Sequence, residues 1–481
     1  MSVKIPSKFD TLIVSRMKRF RFLLAHSNFE FKQYQYDGVQ WCIRNELNYN
    51  PPGNVRGGFI ADEMGLGKTI MMIGTMFSNR LPKTLIVLPS ALIQQWFNEI
   101  YHVSGHKSMI YYGNCKKTIT LLDIHRVPIV LTTYNTILPD DCLLKNVLWD
   151  RVIFDEAHHM RNPRTKRHLS CKQIKSHIRW LVTGTPIQNK KQEFYTLCSA
   201  CGMTKSFYTK YTNLLNHFVL RRTKTQVGIN LLPVHKNNKI VEWYNRNEML
   251  LSEEIHSLIP VQTGVSGSKR KQLAEVFGPT GALVAMLRAR QSCILPIMMS
   301  KHFGLLANDY LDALNYSSKI DAVVNFVLSR KDNHKGKIIF CHYRTEIDVI
   351  ATRLKAGGML KVVRYDGRNS GGKHLASISQ PADALVIQIQ SGCEGLNLQH
   401  NFSEIYFVSP HWNPSVEDQA IARCHRFGQL NSVDVFKFEM CGFSKVQSTD
   451  LEPITLEKYV NRTQDIKREI SRQLLDVPNR I

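Results

Sequence analysis

Short runs rich in Val, Ile and Leu alternate with longer stretches of helical periodicity along most of this 481-residue chain. In the first half the runs predict buried strands at 84–88, 129–133, 152–155 and 180–183. In the second half they predict strands at 337–341, 362–365, 384–389, 404–408 and 433–438. Alternation of such strands with helices is the pattern of βαβ units and parallel sheets, and each set suffices for an open sheet covered by helices on both faces. From about 225 to 315 the alternation breaks. There 249–258 and 282–291 read as helices, and Gly264-Val265-Ser266-Gly267-Ser268-Lys269-Arg270-Lys271 between them reads as a flexible basic loop. The predicted fold is therefore α/β, with two doubly wound parallel-sheet lobes and a helical insertion between them. The boundaries fall at a basic N-terminal arm (1–30), a first lobe (31–225), an insertion and linker (226–315), a second lobe (316–445) and a C-terminal helical tail (446–481). There are no tandem repeats.

Composition adds a partner class. With 43% hydrophobic and 21% charged residues the chain can bury ordinary globular cores. Lys+Arg number 63 against 39 Asp+Glu, a formal charge of +24 that favours a polyanion, because phosphate neutralisation dominates nucleic-acid affinity. A generically basic enzyme is the plain alternative. The cluster Arg16-Met17-Lys18-Arg19-Phe20-Arg21 fits a nucleic-acid or targeting patch, and equally a solvated basic helix end. The 11 cysteines are odd in number and follow no framework spacing, which reads as reduced thiols in an intracellular protein. Cys198-Ser199-Ala200-Cys201 is a lone pair without further zinc ligands at suitable spacing, and reads as small apolar residues on a helix face. Leu12-Ile13-Val14 is too short for a signal-peptide core, and no uncharged apolar run approaches the about 18 residues that span a membrane.

The chemistry concentrates in three segments. Asp62-Glu63-Met64-Gly65-Leu66-Gly67-Lys68-Thr69 follows the strand-like Gly58-Phe59-Ile60-Ala61 and opens an apolar helical run at Ile70. The general phosphate-binding loop is G-x-x-x-x-G-K-[ST]. Its glycines let backbone N–H groups approach phosphate oxygens, and the helix behind presents its positive end. Asp62 stands where the first glycine would be, while Gly65, Gly67, Lys68 and Thr69 are in place. Lys68 is the candidate for the β- and γ-phosphates of ATP, and the Thr69 hydroxyl for Mg²⁺. Asp155-Glu156-Ala157-His158 follows the apolar run Val152-Ile153-Phe154. Asp155 is the expected water-mediated Mg²⁺ partner, and Glu156 the group that orients or deprotonates the attacking water. An Asp-Glu pair alone is common at helix starts; the strand before it and the upstream loop favour chemistry here. His158 is a candidate for coupling this site to the rest of the lobe, and His159 for a structural role.

The third segment is Gln419-Ala420-Ile421-Ala422-Arg423-Cys424-His425-Arg426. On a helix, Gln419, Arg423 and Arg426 would share one face by their i, i+4 and i+7 spacing. Such a face presents two guanidinium groups to a γ-phosphate held by the other lobe, a role worth about 10³–10⁵ in rate in phosphoryl transfer. Read alone, an exposed amphipathic helix accounts for the segment as well. A site divided between distant segments is complete only when they meet, which suits a motor.

These motifs, in this order, resemble the Swi/Snf family of helicase-like ATPases within helicase superfamily two, from about residue 30 to 440. The resemblance implies two RecA-like lobes. Tyr34-Gln35 with Gly38 and Trp41 is similar to the family's adenine-side motif, which implies that Gln35 reads the base. The family has this same phosphate-loop variant, so the missing glycine supports the match and implicates Asp62, Glu63, Met64, Gly65, Leu66, Gly67, Lys68 and Thr69 in nucleotide binding. Leu85-Ile86-Val87-Leu88-Pro89-Ser90 with Gln95-Trp96, and Thr132-Thr133-Tyr134, are similar to loops that track a DNA strand in the family. Arg161-Asn162, Thr183-Gly184-Thr185-Pro186-Ile187-Gln188-Asn189 and Leu220-Arg221-Arg222-Thr223-Lys224 also fit. In the second lobe the resemblance runs through Leu287-Arg288-Ala289-Arg290-Gln291-Ser292-Cys293, Ser318-Lys319-Ile320, Ile338-Ile339-Phe340-Cys341 and Tyr365-Asp366-Gly367. It continues through Gly395-Leu396-Asn397-Leu398, Ser409-Pro410-His411-Trp412-Asn413-Pro414 and the arginine segment. Leu295-Pro296 replaces the usual His-Pro, and Cys393 and Glu394 replace small or apolar residues.

The resemblance implies an ATP-driven translocase on double-stranded DNA, with Mg²⁺, that remodels chromatin or displaces bound proteins. A strand-separating helicase on DNA or RNA is the alternative, since Asp-Glu-Ala-His is shared by several helicase groups. A DNA-binding scaffold without turnover is a third reading. The chain reads as a bare motor whose recruitment uses a protein partner or the basic arm, in a nucleus, a host cell or a virion according to its source.

Overall fold

In a computed structural model of the chain, the residues described are 8–27, 29–48, 50–186, 191–211, 213–257, 259, 281–305, 312–366, 382–392, 396–443 and 454–475. Ile187 to Asn189, the loop 264–271, Gly367 and Cys393 to Gly395 lie outside them. The chain divides into two compact units, Met1–Asn230 with Glu469–Ile481, and Leu231–Arg468.

The first unit is built on β1 (Arg56–Ile60), β2 (Thr84–Leu88), β3 (Met109–Tyr111), β4 (Ile129–Thr133), β5 (Leu148–Asp155), β6 (Lys175–Val182) and β7 (Val219–Leu220). All neighbours are parallel, in the order β3-β4-β2-β5-β6-β1-β7. β2 and β4 are buried at every position, as strands covered on both faces must be. One face packs Phe59, Val87, Trp149 and Phe154; the other packs Ile60, Ile86 and Trp180 under helices. The N-terminal segment, expected as an arm, contains the helix Lys8–His26, which packs against the helices Gln33–Leu47 and Lys68–Ser78. Ile13, Met17, Phe20 and Leu24 recur at helical spacing and enter the core. At about 1.5–3 kcal/mol per buried side chain, that stripe fixes the helix to the lobe and leaves its basic residues outside.

A buried carboxylate ties this sheet to its helices. Glu46 accepts from Arg151 Nε at 2.6 Å, Trp180 Nε1 at 2.8 Å and Asn79 Nδ2 at 2.7 Å, and Arg151 also donates to Asn79 O and Thr84 Oγ1. Every strong acceptor and donor is satisfied, which is the condition for a buried ion pair to be tolerated.

The second unit contains β8 (Val234–Val241), β9 (Lys337–Cys341), β10 (Val362–Tyr365), β11 (Ala384–Gln388), β12 (Glu404–Phe407) and β13 (Val433–Met440). They form a parallel sheet in the order β10-β11-β9-β12-β13-β8. β8 falls where the sequence predicted only insertion and linker. Its residues Val-His-Lys-Asn-Asn-Lys-Ile-Val carry no apolar run, because an edge strand paired on one side keeps most of its side chains in water. The helices Arg246–Ser257 and Gly281–Ile294, near the stretches read as helical, pack on each other and share a cluster with Leu456 and Val460 of the helix Leu456–Leu475. Lys319 and Glu457 form a buried ion pair, and Glu457 Oε2 also accepts from Met440 N at 2.9 Å, fixing this last helix to β13.

Candidate active site

The register of the first sheet brings the phosphate loop and the acids to one edge. Ile60, the last residue of β1, and Asp155, the last of β5, lie opposite the same residue, Val182, from its two sides. The loop that leaves Ile60 and the turn that leaves Asp155 therefore emerge two strand spacings apart, about 10 Å. This is the carboxyl edge of a parallel sheet, where ligands of open α/β folds sit.

Along the loop Gly65 and Gly67 have φ of 90° and 78°. Gly67 caps the helix Lys68–Ser78, and a Cβ there would stand 2.4 Å from Gln35 Nε2. The positive φ favours glycine, and a Cβ there would displace the Gln35 amide from the loop. Gln35 Nε2 donates to Leu66 O at 3.2 Å, so the expected base-reading residue touches the phosphate loop itself. Met64 packs beside Gly184. Lys68 Nζ folds back onto the carbonyl oxygens of Asp62 at 3.0 Å and Glu63 at 3.4 Å, and Thr69 is half-buried in the first turn.

Asp62 needs a different account from the one its motif implied. Its fully buried carboxylate accepts from Arg222 N at 2.9 Å and Arg222 Nε at 3.1 Å, and pairs with Arg222 Nη2. Glu63 N donates to Arg222 O, and Glu63 Oε2 accepts from Lys224 N at 2.8 Å. The Asp62 and Glu63 carboxylates thus clamp the loop to the segment after β7 rather than face a nucleotide. A buried acid where a glycine belongs calls for a buried cation, and Leu220-Arg221-Arg222 was that signal.

Asp155 Oδ2 accepts from Trp96 Nε1 at 2.7 Å, its Oδ1 from Glu156 N at 2.9 Å, and its main-chain oxygen from Tyr134 Oη at 2.7 Å. Burial first, then the neighbouring Glu156 carboxylate, push the Asp155 acid up to about 7. Lys68 works in the opposite direction, drawing it down. Glu156 occupies left-handed backbone (φ 49°, ψ 50°), a conformation that costs on the order of 1–3 kcal/mol in a non-glycine residue. Its Oε2 lies 3.2 Å from His158 Nδ1, which lies 3.4 Å from Thr183 Oγ1. His158 thereby joins the acids to the Thr183-Gly184-Thr185-Pro186 turn. His159 stacks on His158 with ring centroids 4.7 Å apart and faces Tyr134 and Arg167. Trp96 and Tyr134 were visible as motif residues, but their bonds to Asp155 had no signal in spacing.

In the second unit the helix Pro414–Ile421 is capped by Asn413, whose Oδ1 accepts from Ser415 N at 3.1 Å. Gln419 lies in its last turn and is buried. The helix ends at Ile421, so Gln419, Arg423 and Arg426 do not share a helical face as their spacing predicted. The reason is local: Arg423 N and Cys424 N bond back to Ala420 O and Ile421 O in tightened turns, and Cys424 is drawn into the core. Arg426 Nη1 donates to Asn397 Oδ1 at 2.6 Å, while Leu398 N donates to Arg423 O at 3.2 Å. The Leu396-Asn397-Leu398 segment therefore holds both arginines.

The first-unit residues fit ATP and Mg²⁺. Two left-handed glycines open the loop backbone, a lysine closes it, and buried Asp155, with the half-buried Glu156 next to it and that lysine nearby, calls for positive charge. Cys198 and Cys201 lie in the core, their thiols pushed up by burial.

Residues 34–205 match the SNF2-related domain and residues 318–428 the helicase conserved C-terminal domain, together more than half of the chain. The chain belongs to the SNF2-related, Swi/Snf-type helicase-like ATPases. An uncharacterised ATP-dependent helicase of Mycoplasma genitalium is 26% identical over 92% of this chain and 42% of its own length. Chromodomain-helicase-DNA-binding protein 7 of Homo sapiens is 27% identical over 85% of this chain and 15% of its own length. The chain thus spans less than half of either relative. A probable global transactivator of Orgyia pseudotsugata multicapsid polyhedrosis virus is 24% identical over 92% of this chain and 91% of its own length. Among solved structures, the SWI2/SNF2 ATPase core of Sulfolobus solfataricus in complex with double-stranded DNA aligns at 23% identity and a TM-score of 0.40, over 94% of each chain.

Proposed function

We propose that this chain is a nucleic-acid-dependent ATPase that uses ATP hydrolysis to translocate on double-stranded DNA, displacing or remodelling what is bound there. The observation that carries the ATPase reading is the shared opposition of Ile60 and Asp155 to Val182, which sets a phosphate loop and a carboxylate pair on one sheet edge. The formal charge of +24, the SNF2-related domain and DNA-binding relatives support double-stranded DNA as the track.

In this reading the loop amides and Lys68 bind the β- and γ-phosphates, and Gln35 reads the base beside them. Glu156, turned into the site by its left-handed backbone, orients a water and takes its proton. Asp155 is kept in place by Trp96 and Tyr134. Mg²⁺, which Thr69 and Asp155 would hold, supplies charge neutralisation on the phosphates. Gln419, Arg423 and Arg426, the last bonded to Asn397, are assigned from their motif to the charge that develops on the transferred phosphoryl group.

Lys68→Ala and Glu156→Gln test this directly. Both are expected to abolish DNA-stimulated phosphate release while leaving DNA affinity unchanged in a filter-binding assay. Turnover by either variant near the wild-type rate would remove the site from the reaction. The strand-separating alternative rests on Asp155-Glu156-Ala157-His158 alone, and efficient unwinding of a plain duplex would favour it.

A further inference from the structure

Three helices of the first unit, Lys8–His26, Lys68–Ser78 and Ile93–Ser104, end around one cleft of about 680 Å³. Lys68 opens the middle helix at the candidate phosphate loop and Phe77 lies in its last turn here, so about 14 Å of helix separates the two. Its walls carry Lys18, Arg19, Phe22, Phe77, Arg80 and His102, and no carboxylate lines it. Lys18, Arg19 and Arg80 form no ion pair among the described residues. Phe22 is 66% exposed, with its ring centroid 3.9 Å from that of His26.

The plain explanation for cations at helix C-termini is that they offset the dipoles and bond the free carbonyls. It accounts for His26, whose Nδ1 lies 2.8 Å from Phe22 O, and for His106, whose Nδ1 lies 3.0 Å from Ser104 O. It does not account for Lys18 and Arg19, which sit about two turns before their helix ends, where the dipole effect has faded. Nor does it explain an aromatic ring left in water beside them. A cationic rim around an apolar floor matches a ligand of the opposite charge with apolar anchors.

We propose that this cleft docks an acidic amphipathic segment of a partner protein. Carboxylates of the segment meet Lys18, Arg19 and Arg80, and an apolar side chain packs on Phe22 above the floor at Phe77. Charge alone would also admit a nucleic-acid strand. The floor of Leu23, Phe77 and Val103 and the exposed Phe22 ring, however, call for apolar side chains beside the charges, which a peptide carries and a phosphate backbone does not. A helical segment with acids and anchors at i, i+3 and i+4 satisfies rim and floor together. This inference does not depend on the ATPase reading.

The test pans a displayed library of random peptides, about four helical turns long, on the full chain at physiological salt. A chain carrying Lys18→Glu and Arg80→Glu serves as background. The result expected is acidic peptides with helically spaced apolar residues. By fluorescence anisotropy, their affinity should fall at least about tenfold with the double charge reversal and with Phe22→Ser. ATP hydrolysis without DNA should be unchanged in both, since all three side chains are exposed. If Phe22→Ser fails to fold, the charge reversal carries the test. Recovery of no peptide above background, or of peptides indifferent to the substitutions, would overturn the proposal. So would a labelled oligothymidylate that competes with the peptides and loses affinity in the same variants, which would make the cleft a nucleic-acid site.

Discussion

Asp62 shows how a departure from a motif becomes a requirement. Its carboxylate is buried against Arg222, also nearly buried, so restoring the general motif with Asp62→Gly leaves a guanidinium without its counter-charge. We expect a loss of about 3–5 kcal/mol in urea unfolding and weaker ATP binding, although the substitution makes the loop look more regular. Equal stability would show that Arg222 finds another partner. Trp96→Phe removes the donor to Asp155 Oδ2 at little change in volume. Support of this kind is worth about 10–100-fold in metal affinity or activity, so the Mg²⁺ concentration for half-maximal turnover should rise by about that factor. An unchanged Mg²⁺ dependence would leave Trp96 a packing role only. At this scale the sequence displayed candidate residues for chemistry, since Gly67, Lys68 and Asp155 stand at fixed offsets from apolar strands. The partners of Asp62 and Asp155, Arg222 and Trp96, lie 160 and 59 residues away from them, and spacing is silent about such distances.

Elements were legible where they are buried and obscure where they are not. β2, β4 and β9, buried at every position, coincide with their apolar runs. β8 escaped because an edge strand need not be apolar, and the end of the helix at Ile421 escaped because buried Glu417, Ala420, Ile421 and Cys424 keep helical spacing past it. The packed helices Arg246–Ser257 and Gly281–Ile294 enclose His256, whose Nδ1 bonds Ser252 O at 2.6 Å. Burial lowers this imidazole from its usual 6.5 to about 4. Its neutral form is favoured in the folded state, so its contribution is complete above pH 6.5 and is lost as pH falls toward 4. The second unit should therefore lose roughly 1 kcal/mol between pH 7.5 and 5.5 that a His256→Gln variant does not lose, read from paired denaturation curves. Parallel curves for the two proteins would place His256 in contact with water.

For the whole molecule, the alternation of strands and helices disclosed two parallel α/β units, because buried parallel strands must be continuous apolar runs. It could not disclose that the N-terminal basic helix is docked on the first unit, since its buried stripe of Ile13, Met17, Phe20 and Leu24 is interleaved with cations. A formal charge of +24 predicts an affinity for DNA that falls steeply as salt rises, through counterion release.

ATP hydrolysis measured without nucleic acid, then with double-stranded DNA, single-stranded DNA and RNA at two salt concentrations, tests the central claim most directly. The account predicts strong stimulation by double-stranded DNA, weaker at the higher salt and absent in Glu156→Gln. Stimulation by RNA or single strands alone, or no hydrolysis with any of them, would contradict it.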